Sequence, residues 1–331
     1  MTKKTSSPFP DDWIWIISSP AAYEEALERL LSLRYREDSL IRISGGDRAL
    51  TNIRMDPGAF CKRLAREVST GRYVFGPVNV IDALIQGKVR ELFKFDLPDL
   101  LVHFVMAKGI ANAIEPRLSE HVHSYRRGQN SGMAVRTFAG FVKSHCAARP
   151  DPKSRGLYVL RRDIRAYGDS IPVDEGAPLW RMLEELVPAC EKDRFLELMR
   201  QLIRPGVIQA DGTTLQRNRG VPTGSPIQVQ IANLYLGPLD RALGALEGGY
   251  YGRYGDDILF AIPDHTVFLH AVRQTEQIVT ELGLELKSDK SKNLFLNGAG
   301  RPAPSDSEMQ GNSRIEYLGY SISARGDVSP K

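Results

Sequence analysis

Two adjacent aspartates, Asp256 and Asp257, follow Tyr254-Gly255 between two short runs of strand-forming residues. Carboxylates held side by side at a hairpin tip repel each other, so such a pair asks for a compensating cation. A third carboxylate, Asp163, closes a β-branched and aromatic segment that starts at residue 157, and it completes a donor set made only of oxygen. Hard oxygen donors suit Mg²⁺, which keeps several waters and takes phosphate oxygens as its remaining ligands. Two such ions about 3.5–4 Å apart would activate an attacking hydroxyl and stabilise the leaving oxygen of an in-line phosphoryl transfer; Mn²⁺ is the natural substitute. An isolated Gly-Asp-Asp is an ordinary polar turn, so the weight of the reading falls on the elements around it.

Those elements follow from periodicity and turn chemistry. LYVLRRDIRAY, from residue 157, reads as a strand ending in an acidic residue, and strands at 249–254 and 258–262 flank Gly255-Asp256-Asp257 as a hairpin. Residues 178–203 read as helix. GVPTGSP at 220–226 reads as a tight turn entering a helix with Ser225 as N-cap and Pro226 at its first position, which Pro238 must kink or end. A helix at 265–282 and a last strand at 315–322 complete this part. Upstream, residues 11–40 give a short apolar segment and an amphipathic helix presenting Leu27, Leu30 and Leu31, and 81–94 sets Lys88, Arg90 and Lys94 on alternating positions, as in one strand with a basic face. The pattern predicts an α+β domain, an antiparallel sheet with helices packed on one face.

Composition is that of a globular chain: 331 residues, 42% hydrophobic, 25% charged, net charge +4. No apolar run approaches the roughly 18 residues that would span a bilayer, and residues 1–10 lack the basic start and apolar core of a signal peptide. Cys61, Cys146 and Cys190 show no CxxC spacing, which suits a reducing cytoplasm better than a disulfide framework or a zinc knuckle. The expectation is a soluble cytoplasmic protein with no membrane partner. His121, His123 and His145 have no matching ligand set and are read as ordinary hydrogen-bonding histidines. From Arg126 to Arg162, nine lysines and arginines face a single acid, Asp151; such a run is either a footprint for polyanions or a solvated surface.

The succession of acidic strand, Gly-Pro-Gly turn with helix, acidic hairpin, Lys-rich strand and aromatic-Leu-Gly strand resembles the palm of reverse transcriptases, in particular the bacterial ones of retrons, group II introns and phage-defence systems. LRRDIRAYGDSI (160–171), GVPTGSP (220–226) with IANLYLGPLD (231–240), RYGDDILF (253–260), GLELKSDKSK (283–292) and IEYLGYSI (315–322) are similar to its five palm motifs in order, and residues 70–135 resemble its fingers. The resemblance implies a right-hand polymerase fold: an N-terminal helical extension at 1–55, fingers at 56–156, and at 157–331 a palm with interleaved fingers segments and a primer-grip strand. It implies RNA-directed DNA synthesis with two Mg²⁺ held by Asp163, Asp256, Asp257 and the Ile164 carbonyl, and Lys290 near the leaving pyrophosphate as proton donor. Nucleotide contacts fall on Lys88, Arg90, Ile164, Tyr167, Gly168, Pro222, Thr223 and Gly224, and primer or template contacts on Tyr254, Leu318, Gly319, Arg126 and Arg127. Lys88, Arg90 and Lys94 fit a solvated basic face equally well, and Lys290, with Lys287 and Lys292 as neighbours, also fits a surface lysine. Expected partners are an RNA template, a dedicated structured non-coding RNA among the candidates, a DNA or RNA primer, and dNTPs, in a retroelement or antiphage defence system. RNA-synthesising, primase-like or untemplated transfer on the same palm is the alternative enzyme reading, and a catalytically idle nucleic-acid scaffold the alternative outside enzymes; three clustered carboxylates give an idle site no physical reason to persist.

Three departures qualify the resemblance. Gly168 stands where the family usually has a bulky aromatic that blocks the ribose 2′-hydroxyl, with Tyr167 one place earlier and, in a strand, on the other face; relaxed sugar discrimination, with rNTPs also used, follows as an expectation. Thr223 stands where glutamine is common. Eleven residues after Tyr320 leave a thumb absent or vestigial, so a protein partner, a structured RNA or self-association is expected to replace it.

Overall fold

The computed structural model describes residues 13–34, 41–43, 53, 56–85, 87–306 and 308–331. It divides into two compact units between which the chain passes three times: residues 1–117 with 168–234, and residues 118–167 with 235–331.

The first unit carries the helices α1 (Trp13–Ser18), α2 (Pro20–Arg34), α3 (Pro57–Ser69) and α4 (Leu97–Ile114), and a sheet in the order β1-β3-β2, where β1 is Arg42–Ile43, β2 Asn79–Ile85 and β3 Lys88–Phe95. α3 starts where Asp56 accepts from the Ala59 N–H at 2.9 Å and Pro57 occupies the first turn, the arrangement that satisfies orphan helix amides. On α2, Leu27 and Leu30 are buried as expected. The segment 81–94, expected as one strand, is a hairpin. Gly87, in its turn, takes φ +74°, and Ile85 pairs with Lys88, so the alternation of Lys88, Arg90 and Lys94 lies on β3 alone. The stretch 97–117 is long and apolar enough to cross a bilayer, against the sequence expectation, but 78% of its apolar window is buried inside the protein, as in the core helix of a folded domain.

Two polar side chains on α4 are buried with partners. Asp99 accepts from the Tyr73 hydroxyl at 2.5 Å and the Gly76 amide at 3.1 Å, and burial, partly offset by those two bonds, pushes its pKa up to about 6. His103 Nδ1 lies 2.6 Å from Ser225 Oγ, and burial pushes the ring down to about 3, so it is neutral at ordinary pH. Further along the chain come α6 (Tyr167–Ser170), α7 (Pro178–Glu184), α8 (Lys192–Ile203), the strand pair β5 (Val207–Ile208) and β6 (Thr214–Leu215), and α9 (Gln228–Tyr235); α5 belongs to the second unit. The helix expected over 178–203 is thus broken, with Pro188 in the break.

The second unit is built on a five-stranded sheet in the order β10-β9-β4-β8-β7, with β4 Leu157–Asp163, β7 Tyr250–Tyr254, β8 Asp257–Ile262, β9 Lys292–Leu296 and β10 Gly311–Asn312. All pairs are antiparallel except β9 with β10. Helices α10 (Gly237–Gly244) and α11 (His265–Glu281) supply the expected helical layer: Tyr251 bonds to Asp240 of α10, and Tyr158 stacks near Phe268 of α11 at 5.6 Å. The other face is covered too. Leu157, Val159, Leu259 and Ala261 pack with Phe138 and Val142 of α5 (Ser131–Ala147) and with Ile315 and Tyr317 of β11 (Arg314–Tyr317). Each Leu, Val, Ile or Phe among them contributes roughly 1.5–3 kcal/mol by leaving water. The strand expected at 315–322 is a hairpin, β11 with β12 (Tyr320–Ser323), extended by β13 (Val328–Pro330). Its turn residues Leu318 and Gly319 both take positive φ, 49° and 82°, the backbone that a two-residue hairpin turn demands.

Candidate active site

The acidic tip sits at one end of the five-stranded sheet. Asp163, last of β4, pairs directly with Asp257, first of β8, and opposed residues of an antiparallel pair share a face. Tyr254 pairs with Asp257, so Gly255 and Asp256 form a two-residue turn. Gly255 takes φ +64°, a conformation open to glycine at no steric cost, which puts Asp256 at the apex beside the other two carboxylates. Burial, then the charges of Asp163 and Asp257, push the Asp256 pKa up. The three expected ligands thus lie near enough for the charges of Asp163 and Asp257 to act on Asp256.

Side chains of the same unit meet two of them. Lys290 Nζ donates to Asp163 Oδ2 at 2.6 Å, and Arg161 Nη2 to Asp257 Oδ1 at 3.3 Å, its Nη1 also reaching the Glu316 carbonyl at 2.8 Å. The hydrogen bond from Lys290, with the neighbouring carboxylates, holds its pKa above the ordinary lysine value. Lys290 lies in the loop before β9 rather than in a strand. That loop is pinned to the end of β4 by Lys287 N–H to the Asp163 carbonyl (2.8 Å), Arg165 N–H to the Glu285 carbonyl (2.8 Å) and an Ile164–Leu286 bridge. No side chain among the described residues donates to Asp256. With Asp163 turned to lysine and Asp257 to arginine, no three His, Cys, Asp or Glu side chains among the described residues converge as a finished metal cage. The donor set nevertheless fits a hard divalent cation: oxygen only, repulsive, and with one carboxylate unneutralised.

Behind the tip lies a buried ionic cluster that sequence reasoning missed. Arg253, on β7 and fully buried, grips Asp240 of α10 through Nε to Oδ1 and Nη2 to Oδ2, both at 2.7 Å. Its Nη1 donates to the Gly255 carbonyl at 3.1 Å, and Tyr251 adds a hydroxyl to Asp240 Oδ1 at 2.6 Å. Burial opposes the charge on Arg253, and Asp240 more than reverses that, leaving its pKa raised. Held bidentately by Asp240, Arg253 is fixed in place to donate Nη1 to the turn carbonyl, which ties down the backbone that carries Asp256. The only signal in the sequence was an arginine inside a strand otherwise meant for the core.

The expected nucleotide contacts fall in two places. Tyr167 belongs to the second unit and is buried; desolvation holds its hydroxyl far above the ordinary phenol range, with Arg253 opposing and Asp240, Tyr235 and Asp256 reinforcing the shift. Ala166 before it takes φ +46°, so Tyr167 and Gly168 open a helical turn, which corrects the expectation of strand neighbours on opposite faces. Gly168, Pro222, Thr223 and Gly224 belong to the first unit, where Val221 N–H bonds to the Gly168 carbonyl at 3.0 Å and Phe93 N–H of β3 to the Thr223 carbonyl at 2.9 Å. Gly220 and Gly224 take φ +92° and +101°, as the tight turn required. Ser225 Oγ accepts from Ile227 N–H at 3.2 Å, and α9 begins at Gln228, two residues later than expected; α10 restarts at Gly237-Pro238. On β3, Arg90 is exposed; the side chain of Lys88 lies outside the described residues.

Among expected primer or template contacts, Tyr254 is half-buried at the end of β7, Leu318 and Gly319 form the β11–β12 turn, and Arg127 is exposed. Arg126 is committed to the Ser119 and Val122 carbonyls at 2.7 and 3.0 Å, Arg155 to those of Arg149 and Pro150, and Arg162 to those of Arg161 and Lys292. The basic run is therefore partly structural, with Arg127, Arg136, Lys143 and Lys153 left on the surface.

The reverse transcriptase (RNA-dependent DNA polymerase) family profile matches residues 101–322. The protein named for COX1/OXI3 intron 1 of Saccharomyces cerevisiae is 23% identical over 185 residues, 56% of this chain and 20% of that protein. Similar solved structures include telomerase of Candida albicans with a fragment of telomeric RNA (TM-score 0.57, 13% identity, covering 78% of this chain and 46% of that one) and apo telomerase of Candida tropicalis (0.54, 14%, 77% and 48%). A C. tropicalis telomerase lacking its C-terminal domain gives 0.52 at 12% identity, covering 83% and 60%. The chain thus spans about a fifth of the curated relative and about half of the solved ones, and at these identities the structural likeness concerns the fold.

Proposed function

The chain belongs to the reverse transcriptase family of nucleotidyltransferases, and from that premise we propose that it copies an RNA template into DNA by two-metal nucleotidyl transfer centred on Asp163, Asp256 and Asp257. The observation that carries this reading is the register: Asp163 opposite Asp257, with Asp256 in the adjoining turn and its pKa raised by burial and by its two neighbours. Asp163, Asp256, Asp257 and the Ile164 carbonyl would hold divalent ions, Mg²⁺ or Mn²⁺. When bound, such ions lower the pKa of the attacking primer hydroxyl and neutralise charge on the phosphates. In this reading the carboxylates orient that hydroxyl toward the α-phosphorus, and Lys290, which contacts Asp163, delivers a proton to the departing pyrophosphate oxygen. The Arg253–Asp240 clamp holds the turn against movement. Primer and template are assigned to Tyr254, the Leu318-Gly319 turn and Arg127, and the nucleotide to Arg90, Gly168 and the 222–224 turn. The likeness to a protein named for an intron supports a retroelement setting.

The test is primer extension by purified protein with Mg²⁺, labelled dNTPs and a primed RNA template, beside Asp256→Asn/Asp257→Asn. Extension by the wild type, reduced below about a thousandth in the double variant, is expected. Equal product from both removes the metal-site assignment, and no extension by the wild type on any primed template removes the polymerase reading.

A further inference from the structure

Position 168 is open in the sequence and occupied in the folded chain. A Cβ added to Gly168 would stand 2.7 Å from Nε2 of Gln228, so the Gln228 side chain fills the volume that a bulky residue at 168 would take. A terminal amide swings aside unless it is held, and this one is held. Its nitrogen donates to the Val221 carbonyl at 3.3 Å and to Thr223 Oγ1 at 3.1 Å, which uses both donors of a primary amide. Thr223, itself buried, donates through Oγ1 to Asp169 Oδ1 at 3.2 Å, and its carbonyl is tied to Phe93. Val221 is bonded back to the Gly168 carbonyl at 3.0 Å. The amide is thus braced against the segment it stands over, from the turn on one side and Asp169 on the other.

A pocket rejects one additional hydroxyl only through a clash or an unpaired polar group, and a clash discriminates only when the wall cannot yield. We propose that Gln228 is the residue that determines sugar specificity: its braced amide closes the space over Gly168 and excludes a 2′-hydroxyl, so the chain selects deoxyribonucleotides although position 168 is glycine. This replaces the relaxed selectivity that Gly168 alone suggests. It rests on the proposed function, in which Gly168 meets the sugar of the incoming nucleotide and Thr223 lies among the nucleotide contacts.

The test compares kcat/KM for dATP and ATP in single-nucleotide extension by the wild type, Gln228→Ala and Gln228→Ala/Gly168→Phe. Gln228→Ala is expected to lower the dATP preference at least tenfold, and the double variant to restore it, because the ring takes the vacated volume; Gly168→Phe alone, which clashes with Gln228, should not raise preference. If Gln228→Ala does not fold, Gln228→Ser removes the same wall. An unchanged or increased dATP preference in a folded, extending variant overturns the proposal, as does a wild type that prefers ATP. Should the wild type extend nothing, the polymerase reading fails separately, and the gate is judged by thermal shift with dATP against ATP in Mg²⁺. Loss of Gln228 must then narrow the difference in shift; an unaltered difference, or none in the wild type, overturns it.

Discussion

Asp256 stands at a turn apex with Asp163 and Asp257 beside it, and burial together with those charges raises its pKa. A carboxyl whose folded pKa is raised binds its proton more tightly when folded; its favourable contribution is full below the ordinary carboxylate range and is lost as pH rises through the folded value. Above its folded pKa the ionised group therefore costs stability, a cost that a bound cation would offset. Metal-free Asp256→Asn is expected to melt higher than metal-free wild type, by about 2 °C for each 1 kcal/mol of repulsion relieved. Mg²⁺ should raise the melting temperature of the wild type and leave the variant nearly unmoved; a variant that melts lower than the wild type without metal contradicts the repulsion. That these aspartates cluster was legible, because two adjacent carboxylates in a hairpin turn and a third at a strand end follow from the sequence pattern. Gln228 was not, since no spacing rule says that a glutamine at the start of a helix folds back over a glycine sixty positions upstream.

At the scale of elements, the acidic hairpin depends on a buried ion pair that attaches β7 to α10. Removing one partner strands the other charge without water, at a cost of roughly 3–5 kcal/mol. Arg253→Met should lose about that much in urea unfolding, and Arg253→Met/Asp240→Leu should recover part of it, because no lone charge remains. A single variant as stable as the wild type would mean that the pair does not hold the hairpin. Strand identity was readable from β-branched and aromatic runs, and β4, β7, β8 and α11 fall close to their expected limits. Two segments expected as single strands, 81–94 and 315–322, proved to be hairpins. Alternation persists through a two-residue turn, so periodicity alone overlooks the reversal; the glycines at 87 and 319 were the available signal.

Across the whole molecule, a chain of net charge +4 meets its pH dependence in buried groups rather than in its surface balance. Asp99, inside the first unit, moves from the ordinary 3.8 to about 6, chiefly by burial. Between those values the folded chain binds the extra proton, so stability falls as pH rises through the window and is level above it, a loss of about 3 kcal/mol by pH 7. Unfolding free energy measured from pH 4 to pH 7 should fall less steeply in Asp99→Asn than in the wild type; parallel profiles would place the titration elsewhere. The partition into two units, each assembled from separate stretches, was not legible, because each crossing falls within continuous patterns such as α9 and leaves no composition change.

Lys290 on Asp163 and Arg161 on Asp257 give the site its own counter-ions. A divalent ion held there, as proposed, would take the place of the Lys290 ammonium on the first carboxylate, so metal uptake would be an exchange between two cations, one of them the residue proposed to serve the leaving group. On that proposal, loading the metal and freeing Lys290 would be a single event, and the donor would stay locked on Asp163 until the site held something for it to serve.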